Sequence, residues 1–388
     1  MAPKGTEAVV AGHICLDVIP SIQTGKSLQQ LLLPGRLIEV GGARLSTGGA
    51  VANTGLALHR LGISTCLMGK VGDDEFGQVI LSTLRKESPA LAEEMIVAPG
   101  EQSSYTIVLN IPGTDRIFLH CPGTNDTYQE TDIRFERMGQ SRLFHFGYPP
   151  LMKQMYTGGG EGLMNVMRRV KSLGMITSMD MAMPDGDSES GRVDWKSLLG
   201  RTLPYVDIFM PSLEETLYML GCRGQEKMIA SEALIDEIAL QLLDMGCAIV
   251  ALKLGESGLY LRTGTKARLN RMRAGNEIDE ELWPNRQLWA PCYKTTVRGT
   301  TGAGDCTIAG FLAGVLKGLA PEWTMNGAVA VGAFCVEEAD ATSGIGHWET
   351  VEKRVLAKGE RLLTTQRSAD WRWKQDLGIW AGPQDRFY

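Results

Sequence analysis

Residues 299–311 read Gly-Thr-Thr-Gly-Ala-Gly-Asp-Cys-Thr-Ile-Ala-Gly-Phe, glycines giving way to a helical run. Such a passage leaves the backbone N–H groups of Gly302, Ala303 and Gly304 at a helix N-terminus without intrahelical partners. That end carries roughly half a positive charge and binds phosphate oxygens. Asp305 is the informative side chain. Alone it reads as a capping carboxylate. Beside an anion hole, a carboxylate is also placed to take a proton from a hydroxyl attacking a phosphoryl group. The chemistry these residues allow together is phosphoryl transfer to an alcohol.

Other short motifs fail on inspection. Gly25-Lys26-Ser27 looks like the end of a P-loop, yet Pro20 stands where the first glycine is needed. A dinucleotide fingerprint beginning at Gly302 breaks at its third glycine, which is Thr307. The five histidines (His13, His59, His120, His145, His347) lack metal-binding spacing, and most read as structural.

The elements that must hold Asp305 alternate between strand and helix, which argues for a largely parallel sheet covered on both faces. Strands are expected at 8–11, 65–71, 142–146, 175–180, 208–210 and 248–252. Helices are expected at 51–61, 76–86, 162–173, 305–317 and 325–339. Runs 104–110 and 116–120 flank Ile111-Pro-Gly-Thr-Asp115 and read as a hairpin, with further extended structure in 23–44. This is either a small sheet over a cleft or an edge extension of the main sheet. Residues 262–288, basic then acidic, read as a solvated surface insertion.

The chain has 388 residues, 44% hydrophobic and 22% charged, enough for a sizeable core without staples. A net charge of −6 gives no electrostatic footprint for nucleic acid. No apolar run reaches the roughly 18 residues of a membrane span. Eight scattered cysteines without a Cys-x-x-Cys pair, and an N-terminus without a signal-like apolar stretch, read as a cytoplasmic protein with reduced thiols.

The 299–311 segment resembles the second signature of the ribokinase-like, or PfkB, carbohydrate kinases. The first signature is matched by Gly48-Gly-Ala-Val-Ala-Asn53-Thr-Gly-Leu-Ala-Leu-His-Arg-Leu-Gly62. Four landmarks follow in family order: Gly12-His-Ile-Cys-Leu-Asp17, Gly72-Asp-Asp-Glu-Phe-Gly77, Pro211-Ser-Leu-Glu-Glu215 and Lys253-Leu-Gly255-Glu-Ser-Gly258. The resemblance spans roughly residues 8 to 346. It implies one three-layer α/β/α, Rossmann-like domain over 1–388, its sheet mostly parallel, with a small β-sheet lid from about 13–47 and 104–122. It implies an ATP- and magnesium-dependent kinase acting on a hydroxymethyl group of a small sugar-like substrate. Asp305 then matches the general base, and Gly302, Ala303 and Gly304 the anion hole. Asp17, Gly49 and Asn53 match the substrate grip. Lys253, Gly255 and Gly258 match the nucleotide turn, and Ser212 and Glu215 the element that organises magnesium through water. The family's lid often serves as a dimer interface, which allows a homodimer here.

Gly299 stands where many relatives carry an Asp that helps hold a monovalent cation, and Ser212 replaces an Asn. Cys15 and Ala50 stand where ribose kinases carry Asn and Lys, which points away from ribose. His13, with His120 and Arg116 from the expected lid, either faces the substrate or serves the lid surface, and Tyr148 is a candidate wall of the sugar pocket. The Trp-rich tail (Trp371, Trp373, Trp380) matches no landmark. A nucleoside kinase on the same scaffold and a catalytically silent sugar-binding regulator remain the alternatives.

Overall fold

β1 (Ala8–Gly12) shows how the core is divided. All five residues are buried, with Ala8 and Val10 in one apolar cluster and Val9 and Ala11 in another. Side chains alternate across a strand, so a strand buried on both faces must lie between two helical layers. The computed structural model describes residues 5–22, 33–111, 116–139, 141–222, 231–272, 275, 277–363 and 367–388. Expectations for Gly25-Lys26-Ser27, for 23–32 and for the hairpin tip at 112–115 lie outside these residues.

The remaining strands are β2 (Cys15–Pro20), β3 (Ala43–Gly48), β4 (Thr65–Met68), β5 (Lys70–Gly72), β6 (Ile96–Ala98), β7 (Tyr105–Leu109) and β8 (Ile117–Cys121). They continue with β9 (Leu143–Gly147), β10 (Ile176–Met179), β11 (Ile208–Phe209), β12 (Ile249–Lys253), β13 (Leu259–Thr263), β14 (Gln287–Ala290), β15 (Arg372–Lys374) and β16 (Ile379–Ala381). The main sheet runs β15-β16-β14-β13-β12-β11-β10-β9-β1-β4. It is parallel from β4 to β12 and antiparallel from β12 to β15. One face is covered by helices Ala50–Arg60, Glu75–Glu87, Ala303–Leu316, Pro321–Val336 and Trp348–Leu356. Helices Glu161–Ser172, Trp195–Thr202, Leu213–Met219 and Glu232–Met245 cover the other. Among the described residues no helix is long and apolar enough to cross a membrane.

A second sheet, ordered β3-β2-β7-β8, stands beside this body. It resolves the open alternative in the hairpin region in favour of a separate small sheet. Its register places Ser46, Asp17, Thr106 and His120 in one row across one face. The row Leu45, Val18, Ile107 and Leu119 lies on the opposite face.

Two expectations need correction, and the unassigned tail gains a place. The single strand expected at 65–71 is two, β4 in the main sheet and β5 paired with β6, broken at Gly69. The segment 262–288 is solvated only in its charged middle, where Lys266, Arg271 and 279–282 are exposed, and its two flanks are built into the core. Trp283 and Arg286 are buried, Trp283 packs edge-on against Phe311, and Arg286 Nε donates to Asp385 Oδ2 at 3.0 Å. A buried charge paired this closely is compatible with a core. The tail, which matched no landmark, extends the main sheet as β15 and β16, with Trp371 against Tyr260 and Trp289.

Candidate active site

The helix Ala303–Leu316 is apolar nearly all round, every residue from 305 to 316 except Thr307 being buried. A helix of that kind belongs inside the fold. Its N-cap is Gly302 in the left-handed region (φ 75°), where a Cβ would come within 2.4 Å of the Ala341 Cβ. Glycine is therefore demanded twice over, by conformation and by space. No side chain caps this N-terminus. Asp305 is three residues in, 2% exposed, and its carboxylate turns to other partners. Asn53 Nδ2 donates to Oδ2 at 3.0 Å, and the Tyr148 hydroxyl reaches both oxygens at 2.9 Å. Burial pushes the Asp305 carboxyl upward, opposed by the Asn53 bond and by the Lys253 charge. A raised carboxyl is a better proton acceptor than a free one.

The first signature begins where backbone must pass close to polar side chains. A Cβ on Gly48 would meet the Asp17 carboxylate at 2.5 Å, and one on Gly49 (φ 84°) would meet His13 Nδ1 at 2.5 Å. The two glycines therefore admit Asp17 and His13 into the cleft. Asp17 is 8% exposed, and the Cys15 thiol donates to its Oδ1 at 3.4 Å. Burial raises its carboxyl to about 6, against the stabilising Cys15 bond. His13 and His120 face each other Nε2 to Nε2 at 3.4 Å, joining body and small sheet, while Thr106 bonds His120 Nδ1 at 3.0 Å. Burial holds the enclosed His13 well below the ordinary imidazole range, and the partial enclosure of the ring lowers His120 on its exposed edge strand. Arg116 closes the same gap, its Nη1 donating to Thr301 Oγ1 at 2.7 Å.

At the neighbouring strand ends, Lys253 Nζ pairs with Asp180 Oδ1 at 2.6 Å. Its amine lies beside Gly304, 3.7 Å from where a Cβ would stand. Burial drives the Asp180 carboxyl up to about 8 even against the Lys253 charge. Burial alone would lower Lys253, and the Asp180 and Glu215 carboxylates reverse that. Ser212 and Glu215 form a reciprocal capping box, Glu215 Oε2 accepting from Ser212 N at 2.7 Å and Ser212 Oγ from Glu215 N at 3.1 Å. Gly255 opens the turn Gly255–Ser257, which closes through Leu254 N to Gly258 O at 2.9 Å. A Cβ at Gly258 would strike the Ala290 carbonyl at 2.0 Å, so this glycine packs β13 against β14.

Asp305, Asn53, Lys253, Glu215 and the Gly302–Gly304 amides thus converge, with Asp17 and Gly49 across the cleft, while Gly255 and Gly258 lie on the turn beyond Lys253. Two residues gain roles that the motifs did not assign. Asp180 ends β10, and the carboxyl end of a parallel strand is where ligands gather, which is the signal that points to it. Its Oδ2 is buried with no hydrogen-bond partner among the described residues. Tyr148, read as a wall of the pocket, instead holds Asp305. It does so from a left-handed backbone (φ 64°), uncommon for an aromatic residue and frequent at functional sites.

A search against family models matches residues 6–347 to the pfkB family carbohydrate kinases. An uncharacterised sugar kinase of Archaeoglobus fulgidus is 29% identical over 74% of this chain and 97% of its own. The 2-dehydro-3-deoxygluconokinase of Bacillus subtilis is 24% identical over 81% of this chain and 87% of its own. The Arabidopsis thaliana ribokinase solved with ribose and ATP superposes with a TM-score of 0.69 at 19% identity, covering 91% of this chain and 98% of its own. The three-layer architecture, the paired glycine signatures and this family match agree: the chain belongs to the pfkB family of carbohydrate kinases and is a phosphotransferase.

Proposed function

We propose that this kinase transfers the γ-phosphoryl group of ATP to a hydroxymethyl group of a small sugar-like acceptor. The observation that supports it most is Asp305, a buried carboxylate three residues into a helix that begins at Gly302 with no side-chain cap. In this reading the acceptor hydroxyl reaches Asp305 in place of the Tyr148 hydroxyl. Its oxygen attacks the γ-phosphorus, its proton passes to Asp305, and the bond to the β-phosphate oxygen breaks. The amides of Gly302, Ala303 and Gly304 stabilise charge on the transferring group. Asp17 accepts from two acceptor hydroxyls, with Gly49 beside it. Lys253 stands by the phosphates, with Gly255 and Gly258 shaping the nucleotide turn.

The orphaned Asp180 Oδ2 beside Glu215 suits a hard divalent cation, and these two carboxylates, with Ser212 fixing Glu215, would hold magnesium through water. When bound, the ion neutralises charge on phosphate oxygens. Gly299 offers no side-chain ligand to a monovalent cation, and none enters this reading. The small sheet acts as a lid over the acceptor. Its outer apolar row, with Leu45 and Leu119 each 52% exposed, suits a homodimer.

The direct test is ATP consumption against pentoses, hexoses, ketoacids, polyols and nucleosides, with mass spectrometry of the product. A phosphorylated acceptor that is a nucleoside, or none at all, would overturn the reading.

Two further results are expected. Asp17 grips hydroxyls only as a carboxylate, and its value is about 6. Protonation therefore removes the grip as pH falls through that value, so kcat/KM for the acceptor declines below about pH 6. A profile flat down to pH 5 in a folded enzyme would remove Asp17 from acceptor binding. Tyr148→Phe withdraws a donor that favours ionised Asp305 in the free enzyme, so the acidic limb of kcat/KM should move to higher pH. An unmoved limb with unchanged kcat/KM would leave Tyr148 only a packing role.

A further inference from the structure

Between the Asp17 face of the small sheet and the loop entering the Ala303–Leu316 helix lies an open cleft of about 610 Å³. Among the described residues its charged lining has one sign: Arg44, Arg116 and Arg298 line it, and no Asp or Glu does. Two described acids lie nearby: Asp340 accepts from Thr342 N and Ser343 N and feels the Arg44 charge, and Glu338 lies 3.7 Å from Arg298, at an exposed pair that leaves the guanidinium open to a further partner. The three arginines arrive from separate elements, β3, the approach to β8 and the helix-entry loop, yet face one space.

The sheet register locates this space relative to the acceptor. Asp17 pairs with Ser46, and Ile19 pairs with Arg44. Arg44 is therefore one same-face step from the Asp17 row, roughly 7 Å at about 3.3 Å per residue. That is the reach of a sugar with a substituent at its far end. The lining includes Ile19 and Val108 from the same face and Thr301 next to the anion hole, but nothing from the Lys253–Gly258 turn. The cleft continues the acceptor side rather than the nucleotide side.

We propose that this arginine-lined cleft is the distal part of the acceptor site, and that the acceptor is an anionic sugar. Its carboxylate or phosphate lies at the end remote from the hydroxymethyl group that receives the phosphoryl group. Guanidinium forks recognise both anions through paired hydrogen bonds, so the shared chemistry is what the cleft reads. The inference rests on the kinase reading above and narrows it.

The test pairs each neutral sugar with an anionic counterpart: glucose with gluconate, fructose with fructose 6-phosphate. Calorimetric titration and kcat/KM are measured for the full chain, Arg44→Gln and Arg298→Gln. At least one anion should exceed its neutral partner by about tenfold or more, the effect of a single charge-assisted hydrogen bond. Which anion wins identifies the source. Each variant should erase most of that preference and leave the KM for ATP within about threefold. Neutral sugars preferred over both anions would overturn the proposal while leaving the kinase reading intact. Variants that weaken ATP and acceptor alike would also overturn it, reassigning the arginines to the nucleotide. If nothing is phosphorylated, the titration decides alone. An anion preference lost in Arg44→Gln upholds the cleft and sinks the kinase reading, and no preference sinks both.

Discussion

Asp305→Asn is expected to lower kcat by about 10²–10⁴, the usual cost of losing a general base. The side chain is nearly isosteric, and the helix start does not depend on it, since Gly302 is the N-cap and no side chain caps there. The Tyr148 hydroxyl can still donate to the remaining carbonyl oxygen. Asn53 can turn its amide to meet the new one. The fold should therefore hold, and with the Gly302–Gly304 amides and Lys253 in place, ATP affinity should stay within about threefold. Steady-state kinetics, a thermal melt and a nucleotide titration read the three quantities separately. A folded variant retaining more than about a tenth of the wild-type rate would show that the carboxylate only orders Asn53 and Tyr148.

Lys253→Met should have the largest effect on stability. It strips the ammonium from Asp180, which has no exposure to water, and breaking a buried pair from one side costs about 3–5 kcal/mol. The loss should grow at alkaline pH. Asp180 stands at about 8 with Lys253 present, and removing the ammonium raises its folded value further. Between the unfolded carboxyl's range and pH 8 both proteins lose stability as pH rises, by about 1.4 kcal/mol per unit, because the folded state keeps a proton that the unfolded chain releases. Above that the wild-type carboxyl ionises and its decline ends, while the variant's continues, so the difference between them widens. Denaturant melts of both proteins at about pH 7 and pH 9.5 measure it. A difference that does not widen, or a variant not improved at the higher pH by adding Asp180→Asn, would show that the pair carries no buried charge.

What the sequence made legible was local. The glycines at 48–49 and 302–304 announce backbone that must turn or come close to another group, and Asp305 follows within the same few residues. The alternation of apolar runs likewise revealed a sheet covered on both faces. Contacts made across long separations were hidden. Tyr148 meets Asp305 across 157 positions, and nothing around either residue encodes that bond. Asp180 is one carboxylate after an apolar strand, distinguished only by lying at a parallel strand's carboxyl end. Within 262–288 the exposed charges hid the buried Arg286, whose partners Asp385 and Glu322 lie 99 and 36 positions away. The run 65–71 looked like one strand because apolar periodicity does not reveal that the chain leaves one sheet for another at Gly69. Short strands such as β15 and β16 carry too few residues to show a period, and only the pairing of β16 onto β14 and of β15 onto β16 defines them.

That pairing also fixes an order in time. β14 finds its neighbour β16 about ninety residues downstream, and Arg286 has no carboxylate at 385 until that residue has left the ribosome. A chain made only as far as the second glycine signature already has Asp305 and the proposed anion hole, but one flank of the main sheet is still an open edge. Unpaired edges template association with other chains. Ribosomal pausing, or a premature stop anywhere between residues 317 and 385, should therefore yield chains that carry every proposed catalytic residue and still aggregate. Newly made chains are accordingly most dependent on chaperones just after the catalytic signature has been translated.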